Sequence, residues 1–493
     1  MHISSILYCL VFPGLALGRP PVKLRTTPSS IGSYDWSPQT VISTPDEPGF
    51  FNATARWTIY RPPSFNLEIS PATEEDVITA IQYAQANNMS FLATGGRHGY
   101  STSLGALKGG LEIDLSQLNS ISIDKAAKTL TIGPGVRFRD IFDPVYEAGF
   151  QIQTGSCSCV GMMGATLGGG IGRLLGLNGL IIDALISARL VTASGEVLTV
   201  SKTSNPELFW GLKGAGFNFG IVTEATFELH PLYKGGIWTN ADLIFTGDKN
   251  HTYFETLASL APLPADLAVE TLMNWNATLN ETQLVLSVVY AGPMAEGLEA
   301  MAPILDLGPS YSHIKEIHWN ELSTQSLFAL DPEICEDGNI WDIHGVSLRD
   351  FSAPTYEAVF ETLKEFWAAN PGGLNSQVTL ESWPNEAAIA IPESSAAYPW
   401  RDATTNVLIQ FKWDGSDDSL EGPSNVAGKK IRSQLAATSG YDDLAVYVNY
   451  AWGDETPAQM YGASNLPRLV ALKQKYDPNN FFGFYNALPT SLD

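Results

Sequence analysis

Residues 154–172 read TGSCSCVGMMGATLGGGIG. Cys157 and Cys159 stand one residue apart at the mouth of a glycine run that includes Gly161, Gly164, Gly168, Gly169 and Gly172. Each missing side chain removes a steric wall, so this backbone can lie against something large and flat. The plain alternative is a set of tight turns with Cys157 as a buried thiol. A zinc site is disfavoured, because Cys157-Ser158-Cys159 lacks a second ligand pair. A second glycine-flanked stretch, TGGRHGYS at 94–101, sets His98 among Gly95, Gly96 and Gly99. Bare amides following Thr94 form an anion nest, and Arg97 adds a fixed positive charge suited to a pyrophosphate. Each stretch alone reads as a turn. The two together, in this order and separation, say more.

A chain of 493 residues is too long for one ordinary core, so two closely connected domains are expected. With 44% hydrophobic and 16% charged residues it reads as globular. The formal net charge of −24 repels phosphate backbones and anionic lipid, which argues against nucleic-acid and membrane-surface partners. The opening MHISSILYCLVFPGLALG (1–18) has an apolar run ending in Ala16-Leu17-Gly18, the pattern of a cleavable secretory leader, too short to span a bilayer comfortably. Sequons at Asn52, Asn88, Asn250, Asn276 and Asn280 agree with secretion or a secretory-pathway lumen. Loss of the leader removes Cys9 and leaves Cys157, Cys159 and Cys335, an odd number for an oxidising compartment.

Residues 19–57 read as an extended, Pro- and Ser-rich lead-in. From 58 to 235 the pattern is α+β. A helix opens on the capping box Thr73–Asp76, short strands follow over 110–135, and a hairpin turns on Ala193-Ser194-Gly195. From 236 to 443 long strands alternate with helices at about 294–306 and 354–369, which implies an antiparallel sheet with helices on one face. Residues 444–493 read as a strand, a helix and an aromatic tail. GAGFNFG (214–220) matches a dinucleotide-binding spacing but ends a helix and leads into a strand, the reverse of the required order, so a tight turn is expected there. His313 and His318 are five apart, a poor spacing for helical metal ligands, and no metal site is expected.

Taken together these segments resemble the FAD-linked oxidases of the vanillyl-alcohol oxidase superfamily, berberine-bridge-enzyme-like branch. TGGRHGYS resembles the family's pyrophosphate loop, with His98 as the flavin-linking histidine. CSCVGMMGATLGGGIG resembles its cysteine–glycine segment; counting back from Val160-Gly161 makes Cys157, not Cys159, the linking cysteine. FWGLKGAGFNFGIVTEATF resembles the loop and strand beside the adenine, which places Gly220, Ile221 and Val222 at the cofactor. YVNYAWGDE and KYDPNNFFGFYNALP resemble the segment that returns to the flavin domain, with Asn449 and Asn486 near the ring. The resemblance implies a PCMH-type FAD-binding domain over 58–235, a substrate domain over 236–443 and FAD tethered twice. Hydride then passes from a small-molecule substrate to FAD, with molecular oxygen as the usual electron acceptor. The linking thiol must ionise, although a free cysteine titrates near 8.5. With Cys157 consumed, Cys159 and Cys335 are left to pair.

The resemblance breaks at one point. Counting back from Tyr398-Pro399-Trp400-Arg401 sets Ala390 where the family often has an acidic base, with Glu386 and Glu393 on either side. The carboxylate is therefore expected to be absent or displaced, and Tyr100, Tyr447 and Tyr450 become the candidates for proton transfer, each with aromatic packing as its plain alternative. Trp452 stands where the family tends to have Asp, so that contact is expected to be lost. The whole pattern is most similar to fungal secreted oxidoreductases of secondary metabolism, acting on polyketide, terpenoid or alkaloid intermediates. The alternatives are a carbohydrate oxidase acting at an anomeric hydroxyl and a secreted flavin-binding protein without turnover.

Overall fold

Alternation of side chains along the strands after residue 236 decides how the two halves of the molecule face each other. The computed structural model describes residues 30–415 and 417–492, so the leader and the first part of the lead-in lie outside the described residues. Seven antiparallel strands form one sheet. In Gln377–Ser382, Val378 and Leu380 enter a core shared with the helices Asn250–Ser259, Ala353–Ala369 and Glu421–Ala436. Gln377, Thr379 and Glu381 point the opposite way, into a cavity. The neighbouring strand Thr405–Phe411 repeats this, with Val407, Ile409 and Phe411 in the core and Leu408 and Gln410 in the cavity. This period of two, with helices on one face only, is what the sequence implied. Strand Asp342–Leu348 at one edge and strand Tyr311–His318 at the other were not read from the sequence, and the latter carries His313 and His318.

The N-terminal half holds two larger sheets and a two-stranded one that pairs Phe150–Gln151 with His230–Pro231. Four strands run in the order Val41–Ser43, Phe65–Ser70, Gly110–Asp114, Phe91–Thr94, the last three mutually parallel. Helix Glu74–Ala86 makes the crossover and opens on the Thr73–Asp76 capping box. Five antiparallel strands form the other sheet, among them Leu185–Val191, Val197–Ser201 and Ile221–Glu228. The lead-in is not merely extended: Val41–Ser43 pairs with Phe65–Ser70, and Phe50–Ala53 is helical.

Two expectations near the C-terminus and the glycines resolve clearly. Residues 444–450 do not form a strand. Ser347 donates its amide to the Ala445 carbonyl, Val446 donates to Gln459, and Val448–Tyr450 closes as a single 3₁₀ turn. The chain makes these hydrogen bonds one at a time rather than as a ladder, which turns Tyr447, Asn449 and Tyr450 all toward the cavity. Gly214, at φ 131°, lies against the backbone of Tyr398, so this stretch is the expected helix-to-strand turn. Cys159 and Cys335 form a disulfide, and Cys157 is free.

Candidate active site

The cavity between the halves has a volume of about 360 Å³. Its floor is built where strand Phe91–Thr94 runs out into the loop of Gly95, Gly96, Arg97, His98 and Gly99, and where Cys157, Val160 and Gly161 lead into helix Met162–Gly168. The two loops lie back to back. A Cβ on Gly161 would come 2.7 Å from the Gly96 amide nitrogen, and one on Gly96 would strike Gly161 in turn, so glycine is required on both sides. Gly164, also on the wall, faces open space. The amides of Gly95 to Gly99 donate to no acceptor among the described residues, which leaves them for an anion. Arg97 lines the cavity, but its guanidinium is also held by two carboxylates. Its guanidinium turns under the loop, 2.5 Å from Asp114 and 3.2 Å from Glu112, and is neutralised there. Arg56, which no sequence pattern singled out, lines the cavity beside Arg97, with Nη1 buried and unpartnered.

The His98 ring stacks on Trp57 at 4.2 Å, and Trp57 stacks in turn on Trp341 at 5.6 Å. The Trp57 indole donates to the Ile334 carbonyl across 2.7 Å, which fixes the stack. Burial first, then Arg137 and Arg56, lowers the His98 imidazole to about 3, so it is neutral over the working pH range. The Cys157 thiol opens on the same cavity. Burial and the carboxylates Glu270, Asp331 and Glu381 push it up, against Arg173.

Across the cavity the large sheet supplies what the sequence was expected to lack. Glu381 lies on the wall and accepts a 2.9 Å hydrogen bond from the Tyr450 phenol and a longer one, 3.4 Å, from Ser156. Burial, then Glu270, pushes Glu381 up to about 8. Glu270 is itself paired with buried Arg173 at 2.5 Å. A carboxylate is thus present on the cavity wall, on strand Gln377–Ser382, whereas Ala390 ends the short helix Glu386–Ile389 and neither Glu386 nor Glu393 lines the cavity. The hint available in the sequence was the polar, alternating QVTLES, whose Glu381 follows the phase of Gln377 and Thr379.

All three candidate tyrosines line the cavity. Tyr447 is engaged in holding the glycine run, since its hydroxyl accepts from the Gly170 amide at 3.1 Å and from Asn449 at 2.9 Å. The Tyr100 hydroxyl is buried without a partner. Thr94, Gly220, Ile221 and Val222 line the cavity as expected, as does Asn449. Gly168, Gly169, Gly172 and Asn486 do not. Gly168 makes room for the Asn449 amide and Gly169 for the Tyr398 ring, while Gly172 abuts the Thr154 carbonyl. Asn486 bridges Ser101 and Val448, each across 2.7 Å, and so ties the histidine loop to the closing turn. Trp452 donates an indole hydrogen bond of 2.6 Å to buried Asp342.

Comparison with known proteins fits this geometry. Residues 66–201 match the FAD binding domain family model, and residues 446–489 match the berberine and berberine-like model. An FAD-linked oxidoreductase of Pyricularia oryzae is 53% identical over 92% of this chain and 90% of its own length; one from Neurospora crassa is 49% identical over the same shares. The chain belongs to the berberine-bridge-enzyme-like FAD-linked oxidoreductases and is an FAD-dependent enzyme. Among solved structures it shares the fold of Physcomitrella patens BBE-like 1, with a TM-score of 0.81 at 22% identity, covering 92% of this chain and 98% of that one. It also shares the fold of the xylooligosaccharide oxidase from Myceliophthora thermophila, with a TM-score of 0.79 at 23% identity over 92% and 97%. The residues fit FAD: free loop amides and the unpartnered Arg56 nitrogen suit the pyrophosphate, and the abutting glycines leave flush backbone for a flat ring.

Proposed function

We propose that this enzyme oxidises a secondary-metabolite intermediate of polyketide, terpenoid or alkaloid type, with FAD bonded to both His98 and Cys157. The observation that carries the reading is the Tyr450–Glu381 hydrogen bond in the same cavity as the imidazole and the free thiol. FAD when bound supplies the two-electron acceptor for a hydride. The protein's own part is the companion proton. Tyr450 takes it from the substrate hydroxyl while passing its phenolic proton to Glu381, so the carboxylate is the terminal base and the phenol the relay. Tyr450 alone is a poor base, because burial and the neighbouring Glu381 hold its hydroxyl well above 10. Neutral His98 keeps a ring lone pair available for bonding. Cys157 must lose its proton to bond, against the burial and the carboxylates that raise it.

Apolar lining favours this substrate class over a sugar. Leu272, Ile334, Ile343 and Leu408 offer nothing to pair with a pyranose hydroxyl. Molecular oxygen as the final acceptor and passage through the secretory pathway belong to the same reading, the latter supported by the leader pattern and by exposed sequons at Asn52, Asn88 and Asn280. No helix among the described residues is long and apolar enough to cross a membrane. The test is anaerobic flavin reduction against benzylic alcohols, polyketide phenols and oligosaccharides. Bleaching by the first two and not the third is expected. Yellow colour that survives acid precipitation is expected for the covalent bonds.

A further inference from the structure

Between strands Tyr311–His318 and Asp342–Leu348 the chain leaves the large sheet and crosses to the cysteine loop. At the start of this strap Leu327, Phe328 and Ala329 have φ of 54°, 57° and 58°. Three consecutive residues with side chains in the left-handed region are sterically costly and persist only where the surroundings impose them. Here the surroundings do. Buried Asp242 accepts the amides of both Leu327 and Phe328 at 2.8 Å. Farther along, Asp331 accepts the Ser158 amide at 2.8 Å and its hydroxyl at 2.5 Å. Cys335 is bonded to Cys159, and the Ile334 carbonyl receives the Trp57 indole.

A strap pinned at both ends sets one side chain in a defined place. Leu327 packs on Leu272 and Val285 and lines the cavity. On the same wall Gln410 receives the Thr379 hydroxyl at 2.7 Å and the Gln377 amide at 3.1 Å on one oxygen, and beyond them lies Glu381. The substrate side is therefore divided into an apolar part, Leu327 and Leu272, and a polar edge, Gln410 to Glu381. We propose that Leu327 is a specificity-determining residue, held by its left-handed turn so that a flat apolar ring is accepted on one face and a ring with hydroxyls all round is refused. A pyranose hydroxyl against Leu327 loses water and finds no partner, whereas an aromatic face there is desolvated favourably. This inference rests on the substrate reading given above.

The test uses the flavin-loaded enzyme and two probes, 2-naphthol and cellobiose, with dissociation constants read from perturbation of the flavin absorbance. Leu327→Asn preserves approximate size and tolerates a left-handed backbone. It is expected to weaken 2-naphthol at least tenfold while leaving cellobiose unchanged or tighter, and Leu327→Met is expected to keep 2-naphthol within threefold. If Leu327→Asn does not fold, Leu327→Ala carries the same comparison. Native enzyme that prefers 2-naphthol, with a Leu327→Asn variant that weakens it less than tenfold, overturns the role of Leu327 alone. Native enzyme that binds cellobiose more tightly than 2-naphthol overturns the substrate reading and this inference with it.

Discussion

The phenol of Tyr450 and the carboxylate of Glu381 meet at 2.9 Å, joining the closing turn to the large sheet across 69 residues of sequence. Burial holds Glu381 near 8, and the acid form is the neutral one. Only the ionised form accepts a proton, so flavin reduction by a hydroxyl-bearing substrate is expected to rise as pH passes upward through about 8 and to fall below it. Glu381→Gln is expected to remove that limb and slow reduction about 10²- to 10⁴-fold. Anaerobic stopped-flow across pH 6–10 reads both; a variant that keeps the limb would assign the base elsewhere.

His98→Ala and Cys157→Ala are each expected to leave the flavin on a single bond, and the double variant to release it on acid precipitation. Peptide mass mapping of the flavin-bearing fragments checks this. Fully retained flavin in the double variant would remove both residues from the attachment. Trp57→Ala takes away the ring on which His98 stacks at 4.2 Å, and a lower fraction of histidyl-bonded flavin is expected.

The Cys159–Cys335 bond closes a separation of 176 residues and ties the strap to the cysteine loop. Cys335→Ser is expected to cost about 2–5 kcal/mol, since long closed loops restrict the unfolded chain most. A thermal melt that does not move would show that Asp331 and Trp57 hold the strap unaided.

Asp342 is buried, and its carboxyl is pushed up to about 7 by burial, with the Trp452 hydrogen bond opposing. A carboxyl raised above its unfolded value of about 4 stabilises the fold fully at acid pH, and that contribution is lost as pH rises through about 7. Trp452→Phe removes the donor that favours the charged form. It is expected to destabilise the fold by about 1–3 kcal/mol, with the larger loss above pH 7. Melting temperatures of the two proteins at pH 5 and pH 8 test the sign.

Much of the fold was legible because hydrophobic period reports local structure directly. The capping box at Thr73, the helix expected at about 354–369 and the long strands expected on either side of it all appear in the structure. LAVYV has strand composition, yet the closing segment forms no strand, because its hydrogen bonds go singly to Ser347 and Gln459. A sequence shows the charge of Arg97 but not the buried Glu112 and Asp114 that meet it.

The sequence by itself determined the two glycine-flanked loops, the tethering candidates His98 and Cys157 and the antiparallel sheet facing them, because glycine spacing and side-chain period are local. Only the tertiary structure decided which carboxylate reaches the cavity, that Cys159 and Cys335 lie close enough to bond and where Leu327 stands. Those depend on distances between residues far apart in the chain. Glu381 meets Tyr450, and Cys335 meets Cys159, only after the sheet has folded back over the loops.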